Sequence, residues 1–116
     1  GPGGEGAAMA AVKAGRSVTV VERHANVGGA CTHWATIPSK SLRFAVRQMM
    51  DPLMRELAPL PRLGFTDLVA AAGKVVRKQV DLRQGFYDRN RVRLVGGRAR
   101  FVGAHAVEVE LAAGGR

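Results

Sequence analysis

The residues best suited to chemistry lie together between Gly28 and Lys40. Two adjacent glycines come first, and Cys31, the only cysteine of the chain, follows them closely. The fifth position after Cys31 is Thr36. A thiol can act as a nucleophile, a redox centre or a metal ligand, and each of these roles requires partner groups. Because the chain has no second cysteine, an internal disulfide is excluded.

Cys31 therefore remains open to three interpretations. A metal site is disfavoured, because His24 and His33 fall in a predicted loop and turn and form no cluster. Thiol catalysis needs an activated thiolate, which a sequence does not display. We expect Cys31 to pack as a small residue beside the site, and His33 and Trp34 to be structural.

A second group of residues predicts a dinucleotide site. Gly1 and Gly4 fit the second and third glycines of G-x-G-x-x-G, with the first expected upstream. Such glycines let the backbone approach a pyrophosphate at the positive end of a helix. Glu22 follows at about 20 residues, where a carboxylate accepts hydrogen bonds from ribose hydroxyls. The alternative for Glu22 is a solvated side chain that ends a strand.

The helices and strands predicted around these residues indicate an α/β fold. An alanine-rich helix ends at Gly15, and Ser17 to Glu22 is a β-branched strand typical of a parallel sheet. Loop, helix and strand make the second half of a βαβ unit, so the expected fold is Rossmann-like and incomplete, with its first strand missing. A helix over 40–50, capped by Ser39 and interrupted at Pro52, is predicted next, and a linker over 57–64 follows it. A second helix is predicted from Thr66 or Asp67 to about Asn90. The remaining residues predict strands over 92–95, 98–102 and 106–111, with Gly96-Gly97 and Gly103-Ala104 at turns or bulges.

The composition narrows the class of protein. The chain has 116 residues, 47 % of them hydrophobic, and a formal net charge of +9. This length predicts one domain, and the absence of a long apolar run or signal peptide predicts a soluble, cytoplasmic protein without a membrane partner. The basic residues are scattered and form no nucleic-acid module, so we expect a solvated basic surface that favours an anionic dinucleotide and binds no nucleic acid.

The Gly28-Gly29 pair, Cys31 and Ile37-Pro38-Ser39-Lys40 resemble the flavin-contacting segment of the two-dinucleotide-binding-domain flavoprotein reductases, the class I pyridine nucleotide-disulfide oxidoreductases. Disulfide members of that family have a second cysteine where Thr36 stands here. The run Cys-Thr-His-Trp-x-Thr-Ile-Pro-Ser-Lys is instead similar to the transhydrogenases of the family. The similarity covers nearly all 116 residues, is weakest over 51–63, and departs from the family at Ala35, where glycine is usual.

This resemblance implies an FAD-dependent oxidoreductase that transfers a hydride between NADPH and NAD⁺ and forms a homo-oligomer. Residues 1–116 would be the N-terminal, FAD-binding part, without the NAD(P) and dimerisation domains, and inactive alone. The resemblance implies that Gly1 and Gly4 contact the pyrophosphate, that Glu22 binds the ribose, and that Arg23 faces the adenine or its phosphates. The backbone of 97–99 would contact the adenine. Lys40 would be a buried or half-buried amine beside the flavin ring, and the flavin-binding wall would consist of Gly28, Gly29, Ala30, Cys31 and Thr32.

Two alternatives remain. One is a flavoenzyme like dihydrolipoamide dehydrogenase or mercuric reductase, which Thr36 disfavours. The other is a basic module that binds nucleotides or nucleic acid without catalysis. A second glycine-rich βαβ unit beyond Arg116 would favour the enzyme.

Overall fold

A computed structural model describes residues 1–57 and 64–112 of the chain. The predicted linker lies mostly outside the described residues. The elements in chain order are α1 (Pro2–Lys13), β1 (Thr19–Glu22), α2 (Gly29–His33), α3 (Thr36–Met50), α4 (Pro52–Leu57), α5 (Phe65–Arg89), β2 (Arg93–Gly103) and β3 (Ala106–Leu111).

Helix α1 begins earlier than the sequence predicted. Gly1 is its N-cap and Pro2 its first residue, so Gly4 lies in the first helical turn and not in a loop. Proline suits this position, because its φ is already helical and its missing N–H would have no partner there. The predicted stop at Gly15 is confirmed: its φ is +72°, and its N–H donates to the carbonyl of Val12 at 2.9 Å.

The three strands form one sheet in the order β1-β2-β3. β1 runs parallel to the first residues of β2, from Thr19 opposite Arg93 to Glu22 opposite Gly96. From Gly97 onward β2 pairs antiparallel with β3. The prediction of two strands separated at Gly96-Gly97 was therefore wrong, because these glycines lie inside one strand that changes partner there. The predicted turn after Gly103 is confirmed by the short connection to β3.

The helices α3 and α5 pack against each other. α3 begins at Thr36, and the Ser39 hydroxyl donates back to the carbonyl of Ala35 at 2.7 Å, so the prediction of Ser39 as N-cap was wrong. α5 begins at Phe65, where the Asp67 carboxylate accepts the N–H of Gly64 at 2.9 Å. A hollow of about 430 Å³ lies between α3 and the N-terminal half of α5. It is lined mainly by apolar groups, which include Leu42 and Val76.

A small core joins α1, the sheet and the end of α5. Its buried members are Ala8, Val27, Tyr87 and Val92, and partly buried side chains from α1, β1 and α5 surround them. Arg83 of α5 also donates to Glu5 of α1 at 3.1 Å in a largely buried ion pair. The radius of gyration is 18.9 Å, against about 13 Å for a compact domain of this length. The described structure is therefore elongated, with its core at one end.

Tyr87 makes the stability of this core sensitive to alkaline pH. Burial raises the pKa of the Tyr87 phenol above its usual 10.0, Glu5 and Glu22 raise it further, and Arg83 lowers it. Above pH 10 the unfolded chain loses the proton that the folded chain keeps, so the free energy of unfolding falls as pH rises from 10 through the folded pKa. We expect the Tyr87→Phe variant to lose this part of the decline, as measured by denaturant unfolding between pH 8 and 11. Equal slopes for both proteins would contradict the assignment.

Candidate dinucleotide site

Two glycine segments meet at the start of α1 and α2. A Cβ added at Gly29 would lie 2.7 Å from the Cα and 3.0 Å from the nitrogen of Gly1. Gly28 and Gly29 both have positive φ, +117° and +61°. The backbone at the N-terminal end of α1 therefore lies directly against the turn into α2. Glycines leave backbone N–H groups accessible, and the helix end favours an anion, so this junction fits a pyrophosphate.

Thr32 supports this junction from behind. It is fully buried, and a Cβ at Gly28 would lie 2.6 Å from its Oγ1 and 2.7 Å from its Cβ. Within the part of the chain that the structure describes, its hydroxyl has no hydrogen-bond partner. A side chain with no accessible surface cannot contact a ligand on the open side. Thr32, predicted in the flavin-binding wall, therefore fixes the position of Gly28 instead of touching a ligand directly.

Glu22 lies half-buried at the carboxyl end of β1. Its Oε1 accepts the backbone N–H of His24 at 3.1 Å, and no other hydrogen bond to this carboxylate is present among the described residues. The next residue, Arg23, is exposed, and its Nε donates to Nε2 of His24 at 3.2 Å. The Glu22 carboxylate thus keeps acceptor capacity for the two hydroxyls of a ribose.

A hollow of about 410 Å³ adjoins Glu22, and Val21, Glu22, Arg23, Gly97, Arg98 and Ala99 line it. It exists because β2 runs parallel to β1 up to Gly96 and then continues past the end of β1. The structure therefore brings the predicted ribose residue together with 97–99, the segment predicted at the adenine. The side chain of Arg98 was missed, and only its position between Gly97 and Ala99 could have indicated it.

The segment from Cys31 to Lys40 agrees only in part with expectation. Cys31 is half-buried with a free thiol, as expected for a packing residue. His33 donates from Nε2 to the carbonyl of Val27 at 2.9 Å, which supports a structural role. Trp34 is exposed, with its ring centroid 5.5 Å from that of His33. The expectation that Lys40 is buried or half-buried is wrong for this structure, because α3 presents it on an exposed face.

Neither a metal centre nor a membrane span was found in the described residues. Over 1–57 and 64–112, no group of three or more histidine, cysteine, aspartate or glutamate side chains could hold a metal ion. In the same ranges, no helix combines the length and apolar character needed to cross a bilayer.

Comparison with known proteins defines the class of fold. The family profile of the NAD(P)-binding Rossmann-like domain matches residues 1–57. The solved structure of the HOCl-induced flavoprotein disulfide reductase RclA from Escherichia coli superposes with a TM-score of 0.76 at 22 % identity, covering 100 % of this chain and 24 % of that one. The predicted Rossmann-like α/β fold, of the kind present in such flavoproteins, is confirmed.

The sequence relatives are more specific. The soluble pyridine nucleotide transhydrogenase of Pectobacterium atrosepticum is 48 % identical over 113 residues, which are 94 % of this chain and 24 % of the relative. The enzymes of that name from Photorhabdus laumondii and Escherichia coli K12 are also 48 % identical, over 97 % and 95 % of this chain and 25 % and 24 % of their own. The predicted similarity to the transhydrogenases is confirmed, and the chain spans about a quarter of the length of these curated relatives.

Proposed function

We propose that this chain supplies part of the FAD site of an oxidoreductase that transfers a hydride between NADPH and NAD⁺. The observation that carries the proposal is the placement of Glu22, Gly1 and the Gly28-Gly29 turn around one end of the Rossmann-like unit. Similarity to soluble pyridine nucleotide transhydrogenases over nearly the whole chain supports this reaction. We further propose that the whole protein is cytoplasmic and homo-oligomeric, as the family resemblance implies.

The residues fit the adenosine and pyrophosphate parts of FAD. Gly1 and Gly4 offer the start of α1 to the pyrophosphate, and the open backbone from Gly28 to Cys31 continues this surface. Glu22 accepts the ribose hydroxyls, and its charge strengthens these hydrogen bonds. When bound, FAD supplies a flavin ring that can accept and return a hydride.

The side chain at position 36 argues against a reaction that uses a redox disulfide. Thr36 stands where a second redox cysteine would be required, so Cys31 cannot form an internal disulfide with that position. This argues against a dihydrolipoamide-dehydrogenase-like or mercuric-reductase-like reaction. We retain Lys40 as a candidate for tuning the flavin ring, which requires that another part of the protein cover its exposed amine.

We infer that residues 1–116 do not catalyse this reaction alone. Large apolar side chains, among them Phe44, Phe65 and Phe101, are exposed in the described structure. Such surface is typical of a face that other parts of a protein cover. Hydride transfer requires a second nucleotide beside the flavin, and residues 1–57 and 64–112 present one candidate dinucleotide site.

Serine substitution of Cys31 tests the proposed electron path. We expect full-length Cys31→Ser protein to keep its bound flavin and at least half of its NADPH-to-NAD⁺ analogue transhydrogenation, because no thiol takes part in hydride transfer. Two-electron reduction of either protein should produce reduced flavin without a thiolate-to-flavin charge-transfer band. The measurements are steady-state turnover and absorbance during anaerobic titration.

Two results would count against the proposal. Loss of nearly all turnover in a folded, flavin-loaded Cys31→Ser protein would show that the thiol has a chemical role. Full-length protein that is colourless and cannot be reconstituted with FAD would contradict the cofactor itself.

A further inference from the structure

We propose that Arg98 and Arg23 form a pair of guanidinium groups that hold the adenine ring of the bound dinucleotide, with Arg98 as a determinant of adenine affinity. The inference rests on the proposed function and adds a residue that neither the glycine motifs nor the acid at the end of β1 indicated. It follows from three features of the sheet at this end.

The first feature is that two hollows share the same two arginines. The hollow beside Glu22 adjoins a second one of about 490 Å³, and Arg23, Gly97 and Arg98 line both. Gly97 is buried, and a Cβ there would collide with the carbonyl oxygen of Glu110. Glycine at position 97 therefore lets β2 approach the backbone of Glu110 closely, and the backbone of Gly97 lines both hollows together with the two arginines. A flat ring can lie against this stretch of backbone in the hollows.

The second feature is an unequal pair of cross-strand contacts. Arg100 lies opposite Glu108 and forms an ion pair of 2.8 Å with it. Arg98 lies opposite Glu110 in the same ladder, yet within the described residues it makes no ion pair or hydrogen bond. Glu110 likewise makes no side-chain hydrogen bond or ion pair within the described residues, and the side chains of Arg98 and Glu110 both line the second hollow. The guanidinium of Arg98 is therefore available to a ligand, whereas that of Arg100 is already engaged.

The third feature is the charge of the combined hollows. Two arginines, Arg23 and Arg98, and two glutamates, Glu22 and Glu110, line them. Their formal charges cancel, so the site does not favour a phosphate, which would meet two carboxylates. An uncharged aromatic ring suits this balance, because planar guanidinium groups stack on aromatic faces. Since Glu22 takes the ribose, the base attached to that ribose falls within reach of Arg98.

The test uses the apo form of the full-length protein with FAD and ADP as probes. We expect Arg98→Ala to weaken FAD binding by about three- to thirty-fold, the range of a cation–π contact. ADP, which carries the adenosine half without a flavin, should lose affinity by a similar factor. Arg100→Ala is the matched control, since it removes the same charge from the same strand, and it should leave both affinities within about twofold because exposed ion pairs contribute little. Arg98→Lys should recover only part of the affinity lost in Arg98→Ala, because lysine keeps the charge but lacks the planar group that stacks on a ring.

Three results would overturn the inference: equal losses in Arg98→Ala and Arg100→Ala, full affinity in Arg98→Lys, or weaker FAD binding with unchanged ADP binding. Thermal unfolding of each apo variant serves as the folding control, and Arg98 is exposed, so unchanged unfolding is expected. Wild-type protein that binds neither probe would instead contradict the proposed function on which the inference depends.

Discussion

Replacement of Gly28 by alanine is expected to abolish measurable FAD binding and to lower the stability of the protein substantially. The φ of Gly28 is +117°, which an alanine rarely adopts, and the new methyl group would lie 2.6 to 3.0 Å from three atoms of Thr32. Thr32 is fully buried, so it cannot move aside into solvent. Backbone strain and overpacking together should cost about 2–6 kcal/mol of unfolding free energy. Denaturant unfolding of the apo protein and FAD titration measure the two effects.

Gly15 provides a matched control for this substitution. Its φ is also positive, but a Cβ there would have no atom within 4 Å. Gly15→Ala should therefore cost only about 1–2 kcal/mol and leave FAD affinity unchanged. Adding Thr32→Ala to Gly28→Ala should restore part of the lost stability, because it removes the steric component. If Gly28→Ala proves as mild as Gly15→Ala, the contact with Thr32 does not shape the turn.

The second large effect is expected at Glu22. Glu22→Ala should weaken FAD binding by about 10- to 100-fold, because one or both charge-assisted hydrogen bonds to the ribose are lost. Glu22→Gln should lose less, since the amide oxygen still accepts one hydroxyl. The measurement is the FAD dissociation constant of the full-length apo protein by fluorescence titration.

Glu108 offers the control for charge. Its side chain is exposed and paired with Arg100, so Glu108→Ala changes the net charge by the same amount without altering the predicted ribose contact. We expect its FAD affinity to stay within about twofold of wild type. Similar losses at Glu22 and Glu108 would indicate a general electrostatic effect and would remove the specific role of Glu22.

The sequence predicted the elements whose signals are local. Alanine-rich composition and the Gly15 stop located α1, β-branched residues located β1, and apolar spacing located α5 to within about two residues at each end. The cluster from Cys31 to Lys40 carried the family resemblance because its residue types and spacing are rare in combination. Local backbone preferences and a specific motif are properties that a single sequence can display.

The remaining features depend on contacts that a sequence does not display. Ser39 could cap a helix or donate to a carbonyl of the preceding turn, and the start of α3 at Thr36 decides for the second. Gly96-Gly97 signals a turn locally, but pairing with β1 on one side and β3 on the other keeps the strand extended. Lys40 is exposed and the guanidinium of Arg98 is unpaired because of how neighbouring elements pack. Packing between elements is not visible in a sequence, so neither feature could be predicted.

The length of α5 has a consequence for how the molecule opens. Its 25 residues extend from the pairing with α3 to the buried Tyr87 beneath the sheet. Opening its N-terminal half disrupts the contacts with α3, beside which an open hollow already lies. Opening its C-terminal half exposes Tyr87 and breaks the ion pair between Arg83 and Glu5. We therefore expect opening to begin at the end near Phe65. Because α2 packs against both α3 and α5 and begins at the Gly28-Gly29 turn, loosening of the helical pair is transmitted to that turn.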